Sequence, residues 1–351
     1  MSVFKINKKR IGEKFEPYVI AEAGINHNGD INLAKKMIIS AKRAGVDAVK
    51  FQTFQASEFV RDETTTYTYK SQGKIITESM LQMFKRNEFT AEEWKEIKDY
   101  CDDQEITFLS TPQNISDLEL LLSIGIPAIK IGSDDFVNIP LVRRYAFEQV
   151  PLLLSCGMAE KSEIDRTLKV VKECGNNEVA LLLCTSQYPT PPSDVNISKL
   201  ITMGKEYPDI VLGFSDHTQG AEAAVMALAY GARVFEKHFT LGHNLPGPDH
   251  WFSDDPDELK RWVDSIRLSY QMLGSSALKP TESEMEMRRL AHRSITALKD
   301  IPAGKVFDED NLGMRRPGNG LPASDWDSIL GKKAKRDIVY GQQISMEDVD
   351  G

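Results

Sequence analysis

The hydrophobic positions of this chain fall into short runs rich in branched aliphatic residues, and segments with helical periodicity separate the runs. Parallel strands joined by crossover helices produce this alternation. The predicted helices span 31–45, 90–104, 162–175 and 220–232, and several end at a glycine, as helix C-termini prefer. The predicted strands are YVIAEAG (18–24), AVKFQT (48–53), TFLSTP (107–112), AIKIGS (128–133), LLLSCG (152–157), VALLLCT (179–185), IVLGFSDHT (210–218) and VFEKHFT (234–240).

Every predicted strand carries polar residues at its end. In a (β/α)8 barrel of roughly 250 residues, catalytic groups gather at the carboxyl ends of the strands. A doubly wound open sheet is the rival architecture, but it would concentrate polar groups near one switch point. We therefore expect an α/β fold with a (β/α)8 TIM barrel. The polar strand-end residues are Glu22, Lys50, Gln52, Ser110, Thr111, Lys130, Ser133, Ser155, Thr185, Asp216, His217, Glu236, Lys237 and His238.

The pattern changes after residue 274. We expect residues 1–274 to form the barrel domain, 275–292 a polar linker, and 293–351 a small β-rich domain. Strands are predicted at 294–300 and 335–340, with turns at PAGK and YGQQ. Arg315 and Arg316 precede the turn PGNG, where two adjacent arginines make a candidate anion clamp.

Composition narrows the class of protein. The chain has 41% hydrophobic and 27% charged residues and a mean hydropathy of −0.34, which is typical of a soluble globular protein. Its formal charge of −9 argues against a nucleic-acid partner. Four cysteines without a CxxC pair indicate neither a zinc knuckle nor a redox dithiol. Without an apolar signal region or membrane span, the expected location is the cytoplasm, with no membrane partner.

His217 and His238 are one strand–helix repeat apart, so neighbouring strand ends would bring their rings together. Two converging imidazoles suit a divalent transition metal, with water or a substrate oxygen completing its shell. The alternative for either histidine alone is a local hydrogen bond. Asp216 could be a ligand or could orient one, and Asp249 could approach from the loop after the last strand.

Lys50 and Lys130 stand at equivalent strand ends and could together hold a phosphate. The hydroxyl groups of Thr111, Ser133 and Ser155 would then donate further hydrogen bonds. Each lysine could instead extend from the barrel rim to solvent. An aldolase-type imine is another possibility, which requires a lysine that is desolvated or beside another cation.

Glu22 interrupts an otherwise apolar strand, where a buried idle carboxylate would cost several kcal/mol unless it is paired. Such a carboxyl group suits a general acid or base, and a salt bridge to one of the two lysines is the alternative. The following turn INHNG is expected to direct Asn26, His27 and Asn28 toward the site. His243, His250 and His292 have no such pairing and are assigned to surface or loop positions.

Ten short motifs occur in an order that closely resembles the sialic acid (nonulosonic acid) synthase family, whose members make N-acetylneuraminate, legionaminate or pseudaminate. The resemblance covers essentially the whole chain. It implies a TIM barrel followed by an antifreeze-like SAF domain, and a domain-swapped homodimer. The motifs are AEAGINHNGD, VKFQTF, FLSTP, IKIGS, LLLSCGMA, YPTPPSDVN, GFSDHT, EKHFT, GPDH and RRPGNG.

The resemblance implies condensation of phosphoenolpyruvate with an N-acylated hexosamine to give a nine-carbon α-keto sugar acid, with phosphate release by C–O cleavage. The implied metal is Mn²⁺, with Mg²⁺ or Co²⁺ as alternatives, held by His217 and His238. The implied phosphoenolpyruvate ligands are Lys50, Thr111, Lys130, Ser133 and Ser155. Those facing the sugar or intermediate are Glu22, Gln52, Asp135, Tyr188 and Asp249, with Arg316 reaching across from a second protomer. Glu22, Lys50, Lys130 and Asp249 are the predicted catalytic residues.

Three departures from the family pattern bear on the choice of sugar. Asp134 and Asp135 replace a Gly-Glu pair, Leu183 and Ser186 replace a His and an Asn, and Cys156 replaces a Thr. A differently substituted hexose therefore stays open, including the legionaminate and pseudaminate precursors. Other hypotheses are a different sugar-phosphate synthase, a metal aldolase on the same barrel, or a sugar-binding or ice-binding protein that acts through its C-terminal module.

Overall fold

The computed structural model describes residues 3–350, and residues 1–2 and 351, which the predicted domain ranges include, lie outside it. The chain forms two compact units that divide after Gly274. The strands are β1 (Phe4–Ile6), β2 (Lys9–Ile11), β3 (Tyr18–Gly24), β4 (Ala48–Thr53), β5 (Thr66–Ser71), β6 (Lys74–Ser79), β7 (Thr107–Pro112), β8 (Ile129–Ile131), β9 (Leu152–Ser155), β10 (Val179–Cys184), β11 (Val211–Asp216), β12 (Val234–His238), β13 (Ser294–Ala297) and β14 (Leu312–Arg315). The α-helices are α1 (Ile31–Ala44), α2 (Ala56–Phe59), α3 (Met80–Lys85), α4 (Ala91–Asp103), α5 (Ile115–Ser123), α6 (Ile139–Ala146), α7 (Lys161–Glu173), α8 (Lys199–Glu206), α9 (Glu222–Ala229), α10 (Pro256–Leu273), α11 (Glu282–Ala291) and α12 (Trp326–Ile329).

The first unit is a closed barrel of eight strands, and the predicted TIM barrel is confirmed. The strands follow one another around the barrel as β3, β4, β7, β8, β9, β10, β11 and β12, and β12 pairs with β3 to close it. Each neighbouring pair is parallel, because a crossover segment returns the chain to the same end of the barrel before each new strand.

Side-chain alternation divides the barrel interior into an apolar lower part and a polar upper part. Every second residue of a barrel strand faces inward, so β3 directs Tyr18, Ile20 and Glu22 to the interior. The N-terminal hairpin of β1 and β2 covers the lower end with Phe4 and Ile6, both buried. The apolar cluster comprises Phe4, Ile6, Ile11, Tyr18, Ile20, Ala48, Leu109, Ala128, Leu153, Ala180, Leu182, Val211 and Val234.

The outward-facing residues of the strands pack against the helices. Phe51 of β4 contacts Trp94 of α4, and Phe235 of β12 contacts Trp262 of α10. The helix α1 ends as its sequence predicts: Gly45 has a φ of 88°, and its N–H donates to the carbonyl of Lys42. The larger of the two barrel cores therefore lies between strands and helices.

A hairpin of β5 and β6 interrupts the barrel repeat and was not predicted. β5 is mostly exposed, and β6 is exposed or partly buried. Neither strand therefore shows the alternation of buried apolar and exposed polar residues that marks a half-buried strand. Its two-residue turn, Gln72 and Gly73, has φ values of 50° and 75°. Positive φ at both positions is the geometry of a type I′ turn, which matches the twist of a hairpin.

The second unit has its own core around the two-stranded sheet of β13 and β14. The strand predicted at 294–300 ends at Ala297, and the strand predicted at 335–340 was wrong, because that segment makes only an isolated bridge between Ile338 and Ile301. The predicted linker contains α11, none of whose residues is buried. The core residues are Ile295, Ala297, Ile301, Phe307, Leu312, Ile329, Ala334, Ile338, Ile344 and Val349.

The structure of the described residues bears on two predictions made from composition, one about the cysteines and one about membrane spans. All four cysteines, which lie within residues 3–350, are free. In that same part of the chain no helix combines the length and the apolar character that crossing a bilayer would require.

Gly213 in β11 provides a test of the barrel packing. A Cβ added there would lie 2.7 Å from Leu182 Cγ and 2.8 Å from the carbonyl oxygen of Val234. We predict that Gly213→Ala lowers the free energy of unfolding by about 1–3 kcal/mol, measured by chemical denaturation, because overpacking forces neighbouring atoms to shift. Gly242→Ala is the matched control, since its Cβ would meet no atom within 4 Å. Equal stability of the two variants would contradict this description of the interior.

Candidate active site

A cavity of about 290 Å³ lies at the carboxyl ends of the barrel strands. It forms there because the inward positions become polar above the apolar cluster, and polar side chains cannot fill the barrel as a dry core. The structure brings most of the predicted site residues together here. The predicted residues that line the cavity are Glu22, Lys50, Gln52, Thr111, Lys130, Ser133, Ser155, Tyr188, His217 and His238.

Four buried charges form the floor of this cavity. The Lys50 ammonium lies 2.7 Å from Glu22 Oε2 and 3.7 Å from Glu236 Oε2, and the Lys130 ammonium lies 3.6 Å from Glu236 Oε1. All four side chains are at most 5% exposed. Both lysines are therefore inside the barrel and do not extend to solvent, and the salt bridge considered for Glu22 is present. We call Glu22, Lys50, Lys130 and Glu236 the charge cluster.

The two carboxyl groups of the charge cluster titrate differently. Burial raises the pKa of Glu22 to about 7, against the attraction of Lys50. Burial acts on Glu236 in the same way, but Lys130 and Lys50 outweigh it and hold the pKa of Glu236 below its usual value. Glu22 can therefore gain or lose a proton near neutral pH, while Glu236 stays ionised. When the surroundings of two carboxyl groups separate their pKa values in this way, one group can act as an acid or base and the other as a fixed charge.

Hydroxyl groups surround the two ammonium groups. Lys50 donates to Thr111 Oγ1 at 3.1 Å, and Ser133 Oγ accepts from the N–H of Gly157 at 3.0 Å. The buried Ser155 Oγ has no hydrogen-bond partner among the described residues. Two cations with nearby hydroxyl donors are suited to binding a small polyanion such as a phosphate or a carboxylate.

His217 and His238 lie side by side at the cavity edge, with ring centroids 5.3 Å apart. His217 Nδ1 lies 2.8 Å from the carbonyl oxygen of Thr185, which can only accept, so this nitrogen carries the proton and Nε2 is left as an electron-pair donor. Burial and the charge of His217 lower the pKa of His238 well below its usual value, so the ring is neutral. Its Nδ1 lacks a hydrogen-bond partner within the described chain. Burial alone would lower the pKa of His217, but Cys184 outweighs burial and raises that pKa, so a metal ion would have to displace the proton on Nε2. With that proton lost, the two converging imidazoles fit a divalent metal ion.

Asp216 does not point toward this pair, so of its two predicted roles its contacts oppose that of a ligand and leave that of orienting one. It occupies the outward position of β11, where its Oδ2 accepts from Trp262 Nε1 at 2.9 Å and from Lys237 Nζ at 3.2 Å. Lys237 also donates to the carbonyl of Thr218. These buried contacts hold the backbone on both sides of His217.

Gly24 has a φ of 52°, and three predicted residues, Glu22, Gln52 and Asp249, surround it. Its missing Cβ would lie 3.5 Å from Glu22 Oε1, 3.6 Å from Gln52 Nε2 and 3.7 Å from Asp249 Oδ2. Gln52 donates to Glu22 Oε1 at 3.2 Å. Burial raises the pKa of Asp249 to about 6, and its Oδ2 lies 4.0 Å from His238 Nδ1. Gly24 therefore leaves a space that these polar groups line.

Tyr188 covers the histidine pair. Its ring centroid lies 4.2 Å from that of His217, 5.5 Å from that of His238 and 4.9 Å from that of Phe252. Because 42% of its surface is exposed, Tyr188 stands between the cavity and solvent.

Two loop predictions were wrong. Asp134, not Asp135, lines the cavity, while Asp135 accepts a hydrogen bond from Asn138 Nδ2 at 2.9 Å. His27 does not face the site but is fully buried, with its ring 4.3 Å from that of Phe89, and burial lowers its pKa to about 3. His250 lies in a loop, as predicted, but it is buried there, 2.7 Å from Thr240 Oγ1.

Three cavity residues were given no role in the predicted site, although strand alternation identifies them. Glu236 stands two residues before His238, and Ser215, which donates to Glu236 Oε1 at 3.3 Å, stands two before His217. Cys184 follows the inward Leu182 by two, and its sulfur lies 3.8 Å from His217 Nδ1. Glu236 and Ser215 have the same strand phase as the predicted histidines, and Cys184 has that of the inward Leu182. This phase was the available signal.

Arg316 lies in the second unit and is exposed. Its neighbour Arg315 donates to Tyr340 Oη at 3.0 Å and stacks over that ring at 4.9 Å. The two arginines therefore differ, because only Arg315 is engaged by this ring.

Within the described residues, one group of three potential metal-binding side chains has ligand atoms within 4.8 Å of one another: His243, Asp255 and Glu258. His243 Nε2 lies 3.0 Å from Glu258 Oε2 and 3.7 Å from Asp255 Oδ2. Both carboxylates already cap the first turn of α10, where Asp255 Oδ1 accepts from the N–H of Glu258 and Glu258 Oε2 accepts from that of Asp255. This group is partly exposed, so helix capping explains it without an ion.

Comparison with known proteins gives two family matches. The model of the NeuB family matches residues 37–277, and the model of the SAF domain matches residues 292–350. The resemblance predicted from the ten motifs is thereby confirmed, as is the SAF domain in the C-terminal part of the chain.

Curated relatives match along nearly the whole chain. An N,N'-diacetyllegionaminic acid synthase of Campylobacter jejuni is 38% identical over 328 residues, which cover 93% of this chain and 98% of the relative. A synthase of the same name from Legionella pneumophila is 35% identical over 351 residues, covering 99% and 98%. Among solved structures, an N-acetylneuraminic acid synthetase from Leptospira borgpetersenii in complex with citrate has a TM-score of 0.74 and 32% identity, and covers 82% of this chain and 95% of that one.

Proposed function

This chain belongs to the NeuB family, and from that premise we propose that it condenses phosphoenolpyruvate with an N-acylated hexosamine to form a nine-carbon α-keto sugar acid and phosphate. The acceptor is an N-acetylmannosamine-type sugar or a 6-deoxy diacetamido hexose. The charge cluster is the observation that carries this proposal, because it places two ammonium groups and several hydroxyl groups in one cavity.

Phosphoenolpyruvate has a phosphate and a carboxylate, and each needs positive charge when it leaves water. Lys50 and Lys130 supply that charge at the cavity floor, and Thr111, Ser133 and Ser155 supply hydroxyl donors. The unpartnered Ser155 Oγ supports this role, since a buried hydroxyl group usually has a hydrogen-bond partner. An imine mechanism is disfavoured: burial alone would lower the pKa of Lys50, but Glu22 and Glu236 outweigh it and raise that pKa, which keeps the amine protonated.

His217 and His238 would hold the divalent metal through His217 Nε2 and a free nitrogen of His238. We propose Mn²⁺ as the ion, with Mg²⁺ or Co²⁺ as alternatives. When bound, the metal supplies Lewis-acid polarisation of the acceptor's aldehyde oxygen. Tyr188 stacks against His217 and restricts its movement, and the Thr185 carbonyl fixes the tautomer that leaves Nε2 free.

Bond changes follow from this arrangement. C3 of phosphoenolpyruvate attacks the aldehyde carbon, a new C–C bond forms, and the aldehyde oxygen takes up a proton. Water then adds at C2 with loss of one proton. The new C2 hydroxyl group gives its remaining proton to the departing phosphate, and the C2–O bond to phosphate breaks to leave the keto group. Glu22, with a pKa of about 7 and with Gln52 fixing its Oε1, is the proposed carrier of these protons. Asp249, beside His238, is the second proposed acid–base group.

A second protomer is part of the proposal. Arg316 is exposed and, unlike Arg315, is not engaged by Tyr340, which leaves it free to contact an acyl group in the active site of a partner in a domain-swapped homodimer. The free cysteines suit a reducing compartment, and the cytoplasm is the proposed location.

The histidine pair can be tested by substitution. We predict that the protein releases phosphate from phosphoenolpyruvate when Mn²⁺ and a suitable N-acylated hexosamine are both present. His217→Ala with His238→Ala should lower kcat by at least about 100-fold, because Lewis-acid stabilisation of several kcal/mol is lost. His243→Ala is the control and should keep wild-type activity. If only the control loses activity, the metal binds at the start of α10 and not at the histidine pair. If no acceptor gives phosphate release, the proposed function is wrong.

The arginine proposal predicts complementation between protomers. Arg316→Ala should lower kcat/KM about 10- to 150-fold, the effect of losing one hydrogen bond from a charged donor, while Arg315→Ala should change it little. Mixing Arg316→Ala with Glu22→Gln and allowing subunits to exchange should restore part of the activity, because some sites would combine an intact barrel with an intact arginine. Activity of the mixture no greater than that of its components would contradict action across protomers.

A further inference from the structure

The catalytic cavity opens outward into a second space of about 750 Å³, which we call the outer chamber. Both spaces are lined by Gln52, Asp134, Tyr188 and His238, so they are continuous. On the proposed function, phosphoenolpyruvate lies beside the lysines of the inner cavity and the acceptor's aldehyde lies at the histidine pair. The end of the acceptor remote from its aldehyde therefore extends into the outer chamber.

One wall of the outer chamber is the hairpin of β5 and β6. Tyr67, Thr68, Tyr69, Lys70 and Ile75 line the chamber from this hairpin. Tyr67 and Tyr69 are two residues apart on one strand face, and their ring centroids are 5.7 Å apart. The hairpin thus presents aromatic surface to the acceptor, although it contributes no strand to the barrel.

Three contacts fix the hairpin to the loop between β12 and α10. They lie at its turn and at the end of β5, and together they close the chamber on that side. The contacts are Gln72 Nε2 to the carbonyl of Asn244 at 3.0 Å, the N–H of Gly247 to Ser71 Oγ at 3.1 Å, and the Lys70 ammonium 4.7 Å above the ring of Trp251. A wall held in this way can discriminate between acceptors, because its position is set before the sugar binds.

The rest of the outer chamber is largely apolar and includes several aromatic rings. Phe59, Phe84, Trp251 and Phe252 line it together with Tyr188. Such a surface favours methyl groups, each of which is stabilised by removal from water. A deoxygenated carbon and the methyl group of an acyl substituent both satisfy this chemistry.

The charges in the outer chamber disfavour an anionic acceptor. The acidic lining residues are Asp134 and Asp249, and Lys70, the one Lys or Arg among the chamber's lining residues, is already stacked on Trp251. A sugar phosphate would place a dianion near two carboxylates with no free cation among the lining residues, and the partner's Arg316 is already assigned to the acyl group. Burial and Asp249 raise the pKa of Tyr67, so its phenol keeps its proton and can donate to an uncharged acyl oxygen.

We propose that the β5–β6 hairpin is the acceptor-specificity element of this enzyme, with Tyr67 as its principal contact. It selects an unphosphorylated hexosamine whose remote end carries apolar substituents, such as a 6-deoxy carbon or acyl methyl groups. This inference rests on the proposed condensation and concerns only which acceptor the chamber takes.

The test compares three acceptors with the wild-type protein and two hairpin variants. Consumption of phosphoenolpyruvate is measured with N-acetylmannosamine, its 6-deoxy analogue and its 6-phosphate. The wild type should use the 6-deoxy sugar with the highest kcat/KM and the 6-phosphate at least about 100-fold less well, because like charges repel in the chamber. Tyr67→Ala should reduce the preference for the 6-deoxy sugar over N-acetylmannosamine about 10-fold and leave the KM for phosphoenolpyruvate unchanged. Lys74→Ala, on the same hairpin but outside the chamber lining, is the matched control.

Different results separate the two proposals. If the wild type consumes phosphoenolpyruvate with none of the three sugars and not with a 6-deoxy diacetamido hexose either, the condensation proposal fails together with this one. If it does consume phosphoenolpyruvate but prefers the 6-phosphate, only the inference about the hairpin is overturned. The inference is also overturned if Tyr67→Ala lowers kcat/KM equally for every acceptor, or if Lys74→Ala has the same effect as Tyr67→Ala.

Discussion

The charge cluster in the upper barrel is the constraint on which the site depends. Two lysines and two glutamates are buried where isolated charges would cost several kcal/mol each, and they are tolerated because each ammonium group has a carboxylate within 4 Å. A barrel suits this arrangement because eight strand ends converge on one space. The cluster gives a fixed field for an anion, and burial leaves Glu22 with a pKa of about 7 while Glu236 stays ionised.

Strand alternation explains why much of this site could be predicted from sequence. A polar residue in phase with apolar inward positions must face the interior, as Glu22 does two residues after Ile20, and the same rule applies to Lys50 after Ala48. Applied at every strand, the rule also identifies Glu236, Cys184 and Ser215 as cavity residues. It excludes Asp216 and Lys237, whose phase is outward and whose charges pair with each other. Both residues were grouped with the site because they stand at strand ends, although their strand phase directs them outward.

The loop segments around the site have no sequence pattern comparable to strand alternation. Asp134 and Asp135 are adjacent carboxylates after a strand end, and only the turn geometry decides that the first one lines the cavity. His27 follows an active-site strand but is buried among Phe51, Phe89 and Trp94, an environment built by segments distant in sequence. The β5–β6 hairpin was missed because strands exposed on both faces have no apolar alternation. The proposed acceptor selection thus lies where sequence patterns are weakest, whereas the proposed anion site lies where they are strongest.

The most direct test of the central claim is a crystal structure of the wild-type protein with phosphoenolpyruvate bound. We expect the phosphate and carboxylate groups within hydrogen-bonding distance of Lys50 Nζ and Lys130 Nζ, with Ser155 Oγ donating to one of them. Phosphoenolpyruvate bound outside the barrel mouth, or within it but in contact with neither ammonium group, would contradict the account.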